Sequence, residues 1–184
     1  MRVIAGSAGG IVLKTGGTDL RPTTDRVREA IFSSLGDRVP GSRVLDLFAG
    51  TGSFGIEALS RGADSATFVE RERKSVEAIR GNLSRAGLVA DVIEADVFDF
   101  IRRTTVRAYD LIFADPPYAK AKGTQDLGLA LLSDPAFANI LAPAGMLCLE
   151  KYRRPALSEV EGWKVIRSRA YGESEVVFLE NPAE

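Results

Sequence analysis

The stretch Arg43-Val44-Leu45-Asp46-Leu47-Phe48-Ala49-Gly50-Thr51-Gly52-Ser53-Phe54-Gly55 decides the fold. Its first half is a short apolar run bounded by turn residues, the pattern of a buried strand. Its second half is a glycine loop, after which Ile56, Ala58 and Leu59 give a helix stopped at Gly62. Strand, glycine loop and helix in this order open a parallel sheet with helices on its faces.

Outward from this stretch the alternation continues. Ala66 to Glu70 reads as a second strand, and Val76, Ile79 and Leu83 mark the buried stripe of a helix ending near Gly87. Val89 to Glu94 is expected as a third strand, followed by a short helix carrying Phe98 and Ile101. Tyr109 to Ala114 is a continuous apolar run fit for the sheet centre. Met146 to Glu150 makes a fifth strand. Trp163 to Ala170 and Glu173 to Leu179 are joined by a tight turn at Tyr171-Gly172, which forces an antiparallel pair. Ahead of the sheet, residues 1–22 read as a glycine-punctuated hairpin, and Thr23 to Leu35 as a helix with Val27, Ile31 and Leu35 inward. The expectation is an α/β fold in one domain: residues 41–184 hold a seven-stranded, mostly parallel sheet with helices on both faces, and 1–40 a hairpin-plus-helix extension.

The bulk numbers fit and exclude. At 184 residues, 45% hydrophobic and 27% charged, the chain has an ordinary globular balance. No apolar run approaches the roughly 18 residues that span a bilayer, and Met1 to Gly6 lacks a signal-peptide core. Cys148 is the only cysteine and there is no histidine. That removes intrachain disulfides, histidine-dependent triads and ordinary zinc sites, so no metal is expected. A cytoplasmic monomer is the expectation. Net charge is −1, yet residues 1–43 hold seven basic side chains against four acidic ones, and Lys120, Lys122, Lys151, Arg153 and Arg154 surround later loops. A locally positive face suits phosphates, although scattered surface charge is the commoner explanation of such residues.

Gly50-Thr51-Gly52-Ser53-Phe54-Gly55 satisfies G-x-G-x-x-G, and Glu70 follows Gly50 by 20 residues. Alone, this is also the dinucleotide fingerprint, the acid holding ribose hydroxyls, or simply a tight turn. Asp46 separates the two cofactors. It lies inside the first strand, where a dinucleotide enzyme keeps an aliphatic residue, and its carboxylate suits the ammonium of a methionine moiety. Asp46-x-Phe48-Ala49-Gly50-Thr51-Gly52 resembles the first motif of S-adenosylmethionine enzymes. Asp96, past the third strand, resembles their adenine-amine acceptor, and it equally suits the N-cap of the next helix. Arg71 beside Glu70, Val97 beside Asp96, and Asp115 past the fourth strand complete the expected cofactor contacts.

Asp115-Pro116-Pro117-Tyr118 follows the fourth strand at the carboxyl edge, where open α/β sheets bind ligands. An aryl amine is a poor nucleophile because its lone pair is delocalised into the ring. Acceptors aimed at its two hydrogens, Asp115 and the carbonyl of Pro116, free that lone pair. A fixed carboxylate stabilises the positive charge that develops on nitrogen. The prolines stiffen the turn and remove competing N–H groups, and Tyr118 offers a face for an extruded base. A rigid loop without chemistry is the bland alternative.

A parallel sheet finished by an antiparallel hairpin is the layout of class I methyltransferases. Leu20-Arg21-Pro22-Thr23-Thr24-Asp25-Arg26-Val27-Arg28-Glu29-Ala30, with Arg2 to Gly6, Ile56 to Ala63, Glu70, Asp115 to Tyr118 and the Tyr171-Gly172 turn, resembles the bacterial RsmD family. That resemblance covers nearly the whole chain. It implies methylation of the 2-amino group of a guanine in 16S ribosomal RNA, with small-subunit particles as substrate. Arg21, Thr24, Arg26, Arg28, Lys120 and Lys122 are the expected RNA contacts, although Thr23, Thr24 and Asp25 also read as helix caps. A DNA adenine methyltransferase carries the same tetrapeptide, but 62 residues separate Gly52 from Asp115 and the strands fill them, leaving no room for a separate reader domain. A non-catalytic assembly protein would be expected to lose some of Asp46, Glu70, Asp96, Asp115 and Tyr118.

Overall fold

The computed structural model describes residues 1–15, 24–104, 108–117, 125–153, 157 and 160–181. Seven strands form one sheet in the order β3-β2-β1-β4-β5-β7-β6. They are β1 Arg43–Leu47, β2 Ser65–Glu70, β3 Asp91–Glu94, β4 Tyr109–Ala114, β5 Leu141–Tyr152, β6 Lys164–Tyr171 and β7 Ser174–Glu180. Strands β1 to β5 run parallel, while β7 lies antiparallel between β5 and β6. The strand order reverses between β1 and β4, so a crevice opens at their carboxyl ends. The apolar run at 109–114 occupies the sheet centre, as its composition requires.

Helices α1 Asp25–Leu35, α2 Ser53–Ser60 and α3 Arg73–Ala86 share one core with the sheet; α4 Val97–Arg103, α5 Leu127–Ser133 and α6 Pro135–Ile140 share the other. Strand alternation feeds both: Val44 and Phe113 enter the first core, Leu45 and Ile112 the second. The phenyl ring of Phe113 lies between Phe32 of α1, at 5.4 Å, and Phe54 of α2, at 5.1 Å. This aromatic column joins the N-terminal extension to the sheet.

Several details depart from expectation. Helix α1 begins at Asp25, with Thr24 as its cap, rather than at Thr23. Val89 is 92% exposed and precedes β3, which starts at Asp91. Strand β5 is far longer than Met146 to Glu150. Helices α5 and α6 were not expected; Asp126 and Asp134 cap them, and Pro135 occupies a first-turn position of α6. The opening hairpin is reduced, among the described residues, to one bridge between Arg2 and Val12.

Candidate active site

The parallel strands end on one edge, and four of them deliver an acid there. Asp96 lies just beyond β3, Glu70 closes β2, Asp46 sits one residue from the end of β1, and Asp115 follows β4 directly. Their strands are neighbours in that order. At about 4.8 Å per strand, three steps give a row roughly 14 Å long.

Asp46 is 2% exposed, on the same sheet face as Val44. Its Oδ2 accepts from the Gly55 N–H in the first turn of α2, at 2.9 Å. Burial pushes the carboxyl up to about 8, a rise that this hydrogen bond opposes and the nearby Glu70 charge increases. A buried carboxyl so strained by desolvation is a natural partner for a cation.

The loop from Phe48 to Gly52 is wound tightly. Phe48 takes φ 55°, costly for a residue with a side chain, and Gly52 takes φ 76° without that cost. The Ala49 carbonyl accepts from Gly52 N at 2.7 Å, and Ala49 N donates to Val69 O at 3.2 Å. Gly55 is required for packing, because a Cβ there would lie 2.3 Å from the buried Phe68 ring. The glycine pattern therefore serves both a left-handed turn and the close approach of α2 to β2.

Glu70 bridges this loop to the next. One oxygen accepts from Gly50 N at 2.8 Å and the other from Glu72 N at 2.9 Å. Each carboxylate oxygen keeps lone-pair capacity for a hydroxyl. Asp96 caps α4, accepting from Phe98 N at 2.9 Å and Asp99 N at 3.4 Å, and its side chain is exposed at the edge. Val97 is buried and Arg71 exposed. Asp115 is half-buried, Pro116 buried and Pro117 exposed. Tyr118, Lys120, Lys122 and Arg21 lie outside the described residues.

Of the expected RNA contacts within the described residues, Arg26 is exposed. Thr24 is exposed too, and its hydroxyl caps α1 through Val27 N. Arg28 is corrected. It is 0% exposed, donating through Nη2 to the Arg2 carbonyl and to Asp25, with Nε 3.8 Å from the buried Glu57. Residues at i, i+3 and i+7 share a helix face, so Arg28 belongs to the inward stripe with Ile31 and Leu35.

Sequence reasoning also missed the polar side chains that hold the extension. Glu57 on α2 accepts from Ile4 N, Ala5 N and Arg61 Nε at 2.7, 3.1 and 2.7 Å. Ser60 accepts from Ala8 N and donates to Ala5 O. Asn82 on α3 reaches Lys14 and Thr51. The available signal was a charged residue inside the otherwise apolar Ile56-Glu57-Ala58, and an asparagine within the stripe of α3.

A buried acid beside a left-handed glycine loop, then a second acid and an exposed third, is a row of hydrogen-bond acceptors of the kind an ammonium, ribose hydroxyls and an adenine amine call for. A dinucleotide has no ammonium group for Asp46. Sheet order, antiparallel closing pair and site together define a class I, S-adenosylmethionine-dependent methyltransferase. Among solved structures, yhhF from Escherichia coli superposes with a TM-score of 0.81 at 30% identity, covering 100% of this chain and 99% of its own. The chain belongs to the RsmD family, matching the description "Conserved hypothetical protein 95" over residues 1–180. YlbH from Bacillus subtilis is 39% identical over 178 residues, 94% of either chain. The Escherichia coli protein named ribosomal RNA small subunit methyltransferase D is 33% identical over 157 residues, 84% of this chain and 76% of its own.

Proposed function

We propose that this protein methylates the exocyclic 2-amino group of a guanine in 16S ribosomal RNA, within the small subunit or an assembly intermediate. The observation that carries this reading is Asp115-Pro116-Pro117 at the end of the central strand, on the same edge as the Asp46 to Gly52 loop. The names of the family's small-subunit methyltransferases support the polymer.

Asp46 holds the ammonium of the cofactor, Glu70 its ribose and Asp96 its adenine, with Phe48 to Gly52, Arg71 and Val97 around them. S-adenosylmethionine supplies, when bound, an electrophilic methyl group. Asp115 accepts one hydrogen of the guanine amine and the Pro116 carbonyl accepts the other, which draws the nitrogen lone pair out of conjugation. The Asp115 charge then opposes the positive charge developing on nitrogen. No strong base is needed, because the methylated ammonium is acidic and gives its proton to solvent. Tyr118 stacks on the base, and Arg26 with Arg21, Lys120 and Lys122 holds phosphates. Phosphate contacts position a substrate without specifying it, so RNA shape, which ribosomal proteins help fix, selects the guanine.

The test is tritiated-methyl incorporation into small-subunit particles, naked 16S RNA and duplex DNA at matched salt, with nucleoside mass spectrometry of the product. N2-methylguanosine, formed far better in particles, is the expected result. Equal labelling of naked RNA rejects the shape argument, and methyladenine in DNA rejects the substrate.

A further inference from the structure

Asparagine is a poor helix former, yet Asn82 sits within α3 with none of its surface exposed. All four hydrogen-bonding positions of its amide are used. Oδ1 accepts from Lys14 N at 2.8 Å and from Arg85 Nη1 at 3.0 Å. Nδ2 donates to Lys14 O and to Thr51 O, both at 3.0 Å. The orientation is determined by its partners, since a flipped amide would set donor against donor and carbonyl against carbonyl. Packing alone does not require such a set.

The two ends of this bridge belong to different parts of the protein. Thr51 lies between Gly50 and Gly52 in the glycine loop. Drawing its carbonyl toward α3 fixes the peptide that leads into Gly52, whose own N–H closes the turn on Ala49. Lys14 belongs to the N-terminal extension and leads into residues 16–23, which carry Arg21-Pro22-Thr23. Asn82 grips Lys14 by both its N–H and its carbonyl, as a neighbouring strand would. Elsewhere the extension is held by Glu57 and Ser60 of α2, whose bonds do not touch the loop backbone.

We propose that Asn82 is a positioning residue that couples cofactor occupancy of the glycine loop to the hold on Lys14 in the N-terminal extension. The inference rests on the reading that this loop takes S-adenosylmethionine. When the loop is loaded, the Thr51 carbonyl is held in one orientation. The Asn82 amide is then held with it, and the Lys14 clasp opens less often. By reciprocity, a partner that holds Lys14 in this clasp tightens cofactor binding.

The experiment is residue-resolved amide exchange by NMR on the full chain, with and without saturating S-adenosylhomocysteine, alongside calorimetry. In the wild type, ligand slows the Lys14 amide several-fold more than the Ser7 amide, which donates to Ser60 O in the same extension. Asn82→Asp places a carboxylate oxygen against the Thr51 and Lys14 carbonyls. It lowers affinity for the ligand by about 5- to 50-fold, the size expected for losing one buried hydrogen bond, and removes the selective slowing at Lys14. A residue with only a structural role would change the melting temperature without this ligand-dependent difference. The wild-type measurement stands even where the variant does not fold. Ligand binding with equal slowing at Lys14 and Ser7, or with none, overturns the coupling alone. Absence of ligand binding to wild type overturns the cofactor reading as well.

Discussion

The carboxyl edge of the sheet and the N-terminal extension are both organised by acidic or amide side chains, but in opposite ways. At the edge, Asp46, Glu70 and Asp96 accept from backbone N–H groups no more than 20 residues away. In the extension, Glu57, Ser60 and Asn82 reach across 52 to 68 residues to grip a segment with little regular structure of its own. At the edge Asp46 is stressed by burial and Asp96 is exposed, whereas in the extension Glu57 and Ser60 are spent on the fold. Acidic residues of equal burial thus have contrary effects on stability, and substitution separates them.

The largest expected effect is a gain. The unfolded chain ionises the Asp46 carboxyl near 3.8, whereas burial raises it to about 8 in the fold. Its contribution to stability is therefore complete below pH 4 and is lost progressively as pH climbs to 8, beyond which both states are ionised. Asp46→Asn still accepts from Gly55 N but has no charge to desolvate. Ligand-free Asp46→Asn should exceed wild type in stability by roughly 3–6 kcal/mol at pH 8, with a gap that widens from pH 4 to 8 and then stays level. Thermal melts across pH measure it, and parallel curves would remove the buried charge from the account. Cofactor binding should fall in the same variant, a site traded against stability.

Glu57→Ala should do the reverse. It leaves Arg28, whose Nε and Nη1 lack hydrogen-bond partners among the described residues, as a buried cation paired there with the half-exposed Asp25 alone. The expected loss is about 3–5 kcal/mol in urea unfolding. Glu77→Ala, which breaks the exposed pair with Arg73, should cost under about 0.5 kcal/mol. Similar losses in the two variants would mean that the extension is not held by this network.

Asp115→Ala comes next and acts on rate alone. Turnover should drop on the order of 10²–10³-fold, about 2.7–4 kcal/mol of transition-state stabilisation, while calorimetry with S-adenosylmethionine stays near wild type. A wild-type rate would eliminate the amine-acceptor role.

The same contrast explains what was legible in the sequence. The strand at 43–47, the glycine loop and Glu70 are read from local spacing, because their partners are near neighbours or repeat with the period of the element. The closing antiparallel pair follows from the short turn at Tyr171-Gly172. Helices α5 and α6 were signalled by Asp126 and by Asp134-Pro135, but their short apolar runs read equally well as loop. The grips of Glu57 and Asn82 carry no local period, since their partners are backbone atoms of a segment with no pattern of its own. Arg28 was misread because a charged residue on an inward stripe looks like a surface group until its buried partner is known.

Arg26 and Arg28 give the smallest effect and the finest division between the two regions. Two positions apart on a helix, they are turned about 200° from each other, so one motif supplies a surface cation and a buried one. Arg26 is exposed and Arg28 is fully enclosed, its guanidinium pulled below its usual range chiefly by burial. A phosphate contact by Arg26 releases about one counterion. Arg26→Ala should therefore flatten the salt dependence of RNA binding by roughly 0.7–0.9 in the log–log slope, leaving urea stability within about 0.5 kcal/mol. Arg28→Ala should instead lower stability, removing one of the two cations that face the buried Glu57 and leaving a cavity, and the folded fraction should keep the wild-type slope. Filter binding between 50 and 200 mM salt, a range over which one counterion in the slope changes affinity by about 3-fold, resolves a difference of this size. An unchanged slope for Arg26→Ala moves the phosphate contact away from α1, and a flattened slope for folded Arg28→Ala brings the buried guanidinium back as a contact.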